Sequence, residues 1–189
     1  MRLGLVALAA VAGALVAGGC GGGTTTVTVT TTRTVTVSAP PPSSAASACG
    51  SSQLSATFDG VPGSAGAGNI VYRLRLVNNG SSSCWVSGLP QVQLLDANGG
   101  PLPTKVRPAR PGIAAAKITI EPDGAATADA RFSPDVPGVG DQQQPGACEP
   151  TAATLRVTAP GGGAVDAPIS PPTPVCERGQ LSFTVYTAA

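Results

Sequence analysis

Hydrophobic residues recur at every second position in most segments between residues 54 and 186. Such a two-residue period is typical of a β-strand, in which successive side chains point to opposite faces. One face then covers a core and the other contacts solvent. Turn-forming sequences such as NNGSSS, DANGG, EPDG and PGGG separate the segments. The pattern therefore predicts about eight short antiparallel strands joined by tight turns.

Each predicted strand has its own inward-facing residues, and Arg73 and Arg75 are predicted to face outward. The segment GAVDAPI is a weaker strand candidate. These strands favour an all-β fold, an immunoglobulin-like antiparallel β-sandwich, with a small barrel as the alternative. The predicted inward residues are Leu54, Ala56 and Phe58; Ile70, Tyr72, Leu74 and Leu76; Val92 and Leu94; Ile118 and Ile120; Ala126, Ala128, Ala130 and Phe132; Leu155 and Val157; and Leu181, Phe183 and Val185.

The N-terminal segment has the features of an export signal. Arg2 supplies a positive charge, and the 14 residues from Leu3 to Val16 are apolar and uncharged. This run is too short to cross a bilayer as a stable helix, so residues 1–19 are predicted to be a signal peptide. The sequence AGG before Cys20 resembles the lipobox of bacterial lipoproteins, whose cysteine is acylated with groups such as palmitate. An ordinary signal peptide with an incidental cysteine is the alternative.

Residues 20–48 are predicted to be a tether after the lipidated Cys20. The segment is rich in threonine and contains the proline run Pro40 to Pro42, with no aromatic residue. It cannot bury enough apolar surface to offset its ordering entropy, so we expect no stable fold of its own. The alternation of Thr and Val could instead form an edge strand. The folded domain is then expected over residues 49–189.

Four further cysteines, Cys49, Cys84, Cys148 and Cys176, remain in a chain predicted to be exported. An oxidising compartment favours two disulfides. Of the three possible pairings, Cys49 with Cys84 and Cys148 with Cys176 each bracket a compact segment of neighbouring strands and are favoured. A zinc site is disfavoured because no two cysteines stand two to four residues apart and the chain has no histidine.

Charge and composition exclude several functional classes. The chain has 11 Lys and Arg against 10 Asp and Glu, without the cationic surplus that nucleic-acid binding requires. The absence of histidine removes the commonest general base, and no nucleophile motif or phosphate-binding loop is present. We therefore predict no catalytic residue, no metal, no cofactor and no enzymatic activity; a hydrolase that uses carboxylates alone is the remote alternative.

The segments NNGSSSCWVSGLPQVQLLDANGGPLP, IEPDGAATADARF, CEPTAATLRVTAP and VCERGQLSFTVY resemble a family. This is the actinobacterial secreted and lipoprotein domain of unknown function numbered four thousand two hundred and thirty-two. The resemblance runs from about Cys49 to Tyr186, and it implies an envelope location and a β fold without a mechanism. The matching positions are Cys84, Gly88, Pro90, Gly99, Gly100, Cys148 and Cys176.

Two places are candidate surface contacts. Trp85, beside Cys84, could stack on a sugar ring, although a tryptophan next to a disulfide in a sandwich more often packs over it in the core. Lys105, Arg107 and Arg110 fall in a segment predicted to be a loop, where they could meet anionic wall polymers or lipid head groups.

Together these features predict a lipid-anchored envelope protein on the outer side of the bacterial cell membrane, or a secreted one if Cys20 is not acylated. We expect a monomer that displays a non-enzymatic binding or structural module. Its expected partners are the membrane, through the anchor, and a cell-wall polymer or an envelope protein. A small accessory protein that binds a solute is the alternative.

Overall fold

The computed structural model describes residues 46–141 and 148–189. The predicted signal peptide, Cys20 and most of the predicted tether lie outside these residues. The elements are the strands β1 (Ser47–Ala48), β2 (Leu54–Gly60), β3 (Ile70–Asn78), β4 (Cys84–Ser87), β5 (Val92–Leu95), β6 (Lys105–Pro108), β7 (Lys117–Ile120), β8 (Ala125–Phe132), β9 (Thr151–Thr158), β10 (Ala164–Pro174), β11 (Gln180–Phe183) and β12 (Thr187–Ala188), a 3-10 turn (Ser51–Gln53) and a four-residue helical turn, α1 (Cys176–Gly179). No helix in this part of the chain is long and apolar enough to span a membrane.

The strands form two sheets. The smaller sheet has the order β1-β4-β7, and the larger has the order β5-β9-β10-β2-β3-β8-β11-β6, with β12 also paired to β8. The two end strands of the larger sheet are consecutive in the chain, and the segment between them turns back along β5, where the Leu102 N–H donates to the Leu94 carbonyl at 2.9 Å. The fold is therefore a sandwich that is partly closed into a barrel.

The predicted all-β fold is confirmed, with one addition to its topology. Most described pairings are antiparallel, but β1–β4, β2–β10 and β6–β11 are parallel. Each parallel pair joins strands that are far apart in the chain, because a parallel neighbour cannot be reached through a tight turn.

The predicted alternation agrees closely with the burial of the strands. Three of the largest buried side chains, Phe58, Tyr72 and Phe183, come from β2, β3 and β11. The ring centroid of Phe58 lies 5.2 Å from that of Tyr72 and 6.2 Å from that of Phe183. The core is thus centred on aromatic residues from strands that lie close together in the larger sheet.

Two of the predicted strands differ from the structure at their ends. β11 stops at Phe183, so Val185 lies outside the strand and Tyr186 is buried instead. The weak candidate GAVDAPI becomes the longest strand, β10, because it pairs with β9 on one side and with β2 on the other. Pairing on both sides compensates for its prolines, and the register with β9 shifts between Pro168 and Thr173.

Candidate functional site

Lys105 and Arg107 lie on a strand, which corrects the prediction that their segment is a loop. β6 runs parallel to β11, and the register places Gln180 beside Lys105 and Ser182 beside Arg107. Alternation along β6 turns both cations outward, while Val106 faces inward and is partly buried. This short segment is extended because its backbone pairs with that of β11, and not because of its own β-propensity.

A third cation, Arg131 of β8, joins them on the same face. Ser182 pairs with Arg131 on one side and with Arg107 on the other. The two arginines are therefore separated by one strand, with their Cα atoms about 10 Å apart at a strand spacing of ~4.8 Å. We call Lys105, Arg107 and Arg131 the cationic face. The sequence indicates that Arg131 points outward but gives no sign of its neighbours.

The cations of this face are not neutralised within the protein. All three side chains are exposed, and among the described residues none of them makes an ion pair or a side-chain hydrogen bond. An unpaired cation on a flat sheet surface can bind an external anion without first breaking an internal contact.

Two other arginines on the outer surface, Arg73 and Arg156, are paired across strands, whereas Arg75 of β3 is exposed and makes no ion pair among the described residues. The guanidinium of Arg73 donates to both carboxylate oxygens of Asp129, at 2.7 and 2.9 Å, across β3 and β8. Arg156 makes the same bidentate contact with Asp166, at 2.7 and 2.8 Å, across β9 and β10. The hydrogen bonds and charge of Arg156 lower the pKa of Asp166. Among the described strands of the larger sheet, the unpaired cations are therefore Arg75 on β3 and the three of the cationic face.

Arg110 lies two residues beyond the end of β6, in the lining of a cleft. The cleft has a volume of about 280 Å³ and lies where β6 and β11 end; its lining includes Leu89, Pro108, Ile113 and Val185. Arg110 is exposed and, among the described residues, makes no ion pair. The three cations predicted to cluster are therefore divided between two sites.

Trp85 is half-buried and does not belong to the core, since Cys84 and Val86 take the inward positions of β4. Its ring is covered by the Nζ atom of Lys117, which lies 4.2 Å from the ring centroid. Lys117 is on β7, opposite Ser87 in the register of the pair. The cation therefore occupies a face of the indole that a sugar ring would need for stacking.

Both predicted disulfides form, Cys49–Cys84 and Cys148–Cys176. The first ties the start of the domain to β4, and the Cys49 N–H donates to the Trp85 carbonyl at 3.0 Å. The second joins the segment before β9 to the turn α1. The first bridge also lies by the turn after β9, where the Gly161 N–H donates to the Cys49 carbonyl at 2.8 Å, so the two bridges lie near opposite ends of β9.

The turn α1 is held by a buried carboxylate that sequence reasoning did not single out. Asp141 accepts backbone N–H bonds from Gly138 and Glu177 on Oδ2, both at 2.6 Å, and from Arg178 on Oδ1 at 2.7 Å. Glu177 and Arg178 have φ values of 56° and 58°, in the left-handed region that disfavours residues with a side chain. The carboxylate thus stabilises a conformation that the chain alone would not prefer.

Burial by itself would raise the pKa of Asp141, but the three N–H donors, with a contribution from Glu149, lower it. The opposite holds for Glu149, whose pKa is raised by burial and by the charge of Asp141. Asp141 also lies near Cys148 and Cys176, with the three potential ligand atoms within 4.8 Å of one another. Both sulfur atoms are in a disulfide, and metal binding needs thiolates, so this cluster is a structural clamp.

Comparison with known proteins identifies a family for this chain but assigns it no activity. Neither a curated protein nor a solved structure matches the chain. A family model matches residues 49–187, about three quarters of the chain. The matched region begins at Cys49, the first of the four cysteines that form the disulfides. The chain therefore belongs to the family described as Domain of unknown function (DUF4232).

Proposed function

We propose that this chain is a cell-envelope lipoprotein, anchored through acylated Cys20, whose DUF4232 domain is a non-enzymatic module that binds an anionic wall polymer. The anchor rests on the apolar segment and the AGG sequence before Cys20. The binding role rests on one observation, the three unpaired cations of the cationic face around Ser182.

The geometry of this face suits a repeating polyanion. Three cations on adjacent positions of a flat surface can contact several charges of one polymer, although each contact is weak because it is exposed. The binding free energies of the separate contacts then add. Binding should also weaken as salt is added, because exposed charges are screened over a Debye length of about 8 Å at physiological ionic strength. A polymer with many charges compensates for weak single contacts through multivalency.

Three of the ionisable groups with shifted pKa values support a non-enzymatic role. The carboxylate of Asp141 is saturated by backbone donors, and Asp166 is paired with Arg156. The Tyr72 hydroxyl donates to the Pro171 carbonyl at 2.8 Å, and burial raises its pKa. Each of these groups is engaged in holding strands or turns together, which leaves it poorly placed for proton transfer to a substrate.

The binding proposal is tested by titrating the protein with a purified phosphodiester wall polymer and with an uncharged glycan of similar length. A triple variant, Lys105→Gln with Arg107→Gln and Arg131→Gln, is expected to bind the polymer about 3-fold to 150-fold more weakly, because three exposed charge contacts of about 0.2 to 1 kcal/mol each are lost.

The matched control removes the same charge elsewhere, with Arg75→Gln, Arg110→Gln and Lys117→Gln. It should bind as the parent chain does. Equal weakening in both triple variants would show that net charge, not the cationic face, governs association. Binding to anionic phospholipid vesicles but not to the polymer would assign the face to lipid head groups instead.

The anchor is tested separately, by the intact mass of the protein from membranes of its native host. Acylation predicts a chain that begins at Cys20 and carries acyl groups, and Cys20→Ala should release the protein into the medium. An unacylated, membrane-free parent chain would disprove the anchor and leave the binding proposal standing.

A further inference from the structure

The cleft at the ends of β6 and β11 carries an inference of its own, separate from the cationic face. Its lining is mostly apolar and includes Leu89, Pro108, Ile113, Phe183 and Val185. Phe183 belongs to the buried core, so the floor of the cleft reaches the interior of the sandwich. Its volume of about 280 Å³ is slightly below the range of ~300 to 1,000 Å³ that small-molecule sites occupy, which suits a small ligand.

The loop between β6 and β7 places an exposed apolar side chain on this cleft. Ile113 is 50% exposed, and the other large exposed hydrophobic residues of the described chain, Val136 and Val139, lie elsewhere, between β8 and β9. A β-carbon placed at Gly88 would lie 3.7 Å from the Ala115 methyl group, so the loop passes close to the turn after β4. Ile113 therefore adds apolar surface that a ligand in the cleft can contact.

The polar groups of the cleft leave one free partner for a ligand. The Thr184 hydroxyl accepts the Asp129 N–H at 2.9 Å, and the Thr187 hydroxyl is 3.3 Å from that of Thr127. Arg110 is the remaining charged group of the lining, and among the described residues it makes no ion pair. The site therefore offers an apolar cavity with one cationic end.

We propose that this cleft binds a single-chain amphiphile with an anionic head, a monomeric fatty carboxylate, with the chain against Phe183 and Ile113 and the carboxylate on Arg110. A guanidinium can hold a carboxylate through two parallel hydrogen bonds. The apolar walls of the cleft would contact the hydrocarbon chain of the ligand, and Arg110 would bind its carboxylate. This assignment does not depend on acylation of Cys20 or on the cationic face.

The test uses the full chain with Cys20→Ala, so that no detergent competes for the cleft. Octanoate, decanoate and dodecanoate are titrated below their critical micelle concentrations by isothermal titration calorimetry. Each added methylene should tighten binding about fourfold until the cleft is full, after which the affinity becomes constant. Decanol, which has the chain without the charge, should bind at least tenfold more weakly than decanoate.

Two substitutions with matched controls locate the site. Arg110→Gln and Ile113→Ser should each weaken decanoate binding about tenfold, whereas Arg75→Gln and Val136→Ser, at similarly exposed positions away from the cleft, should leave it unchanged. The proposal is overturned if no carboxylate binds saturably, if decanol binds as well as decanoate, or if the control variants weaken binding equally. Binding to anionic phospholipid vesicles alone would also overturn it, because it would assign the positive charge to a membrane surface.

Discussion

The carboxylate of Asp141 is the contact whose removal tests the described structure most directly. Replacing Asp141 with Asn keeps the size of the side chain but leaves one carbonyl oxygen for the three N–H donors. If that oxygen takes the place of Oδ2, the bonds from Gly138 and Glu177 persist as neutral bonds and the Arg178 N–H faces an amide NH₂ group. The substitution therefore removes one bond outright and weakens two.

The size of the effect follows from these contacts. Hydrogen bonds to a charged group stabilise by about 1.5 to 3 kcal/mol and neutral ones by about 1 kcal/mol, and a buried donor without an acceptor costs about 1 to 3 kcal/mol. We expect Asp141→Asn to lower the free energy of unfolding by about 4 kcal/mol at neutral pH. For a domain of this size that corresponds to a melting temperature lower by about 10 to 15 °C.

The pH dependence gives this prediction a second, independent test. Because folding lowers the pKa of Asp141, its contribution is complete above the ordinary value of 3.8 and is lost as the pH falls through the lower folded value. Urea unfolding should therefore show a large difference between parent and variant at pH 6 to 7 and a vanishing one in strong acid. Hydrogen exchange should show the earliest loss of protection at the Gly138, Glu177 and Arg178 amides.

Glu149→Gln is the matched control, because it removes a neighbouring negative charge whose pKa is raised in the fold. The ionised form of Glu149 is disfavoured there, so this variant should not be less stable than the parent at neutral pH. The reasoning fails if the free energy of unfolding of Asp141→Asn differs from that of the parent by less than ~0.5 kcal/mol at neutral pH, which is the lower limit for a single hydrogen bond. It also fails if the loss does not change with pH.

Three further variants have outcomes that the structure predicts. Cys49→Ala with Cys84→Ala should lower the free energy of unfolding by about 4 kcal/mol in urea titrations, since the bridge closes a loop whose ends are 35 residues apart; an unchanged midpoint would show that the bridge does not constrain the unfolded chain. Gly179→Ala should prevent folding, as judged by circular dichroism and yield, because the φ of Gly179 is +70° and a β-carbon there would collide with the Pro103 carbonyl oxygen. A folded variant of near-parent stability would contradict the described conformation of the turn α1. Phe58→Ala should cost about 3 to 5 kcal/mol in the same urea assay, because the ring is fully buried between Tyr72 and Phe183; a loss below about 1 kcal/mol would place Phe58 outside the core.

Much of the fold could be predicted from local pattern. The alternation in LSATF and in NIVYRLRLV corresponds to β2 and β3, with Leu54, Phe58 and Leu74 buried as expected. The short strands β5 and β7 were predicted from their alternation, whereas β4 and β6, which are equally short, were not. They are extended because partner strands supply hydrogen bonds, and a local pattern cannot indicate such partners.

The sequence by itself determined the class of this protein: many short strands with one apolar face, and cysteines for two disulfides. These features are local, since period, turn residues and cysteine number can be counted along the chain. Tertiary structure alone decided which charges meet. Ser182 lies between Arg107 and Arg131 and places them on one face, and Asp141 accepts the N–H of Glu177, 36 residues away. Strand register and loop closure depend on contacts between distant segments, and so the cationic face, the cleft and the clamp at Asp141 appear only when the chain is folded.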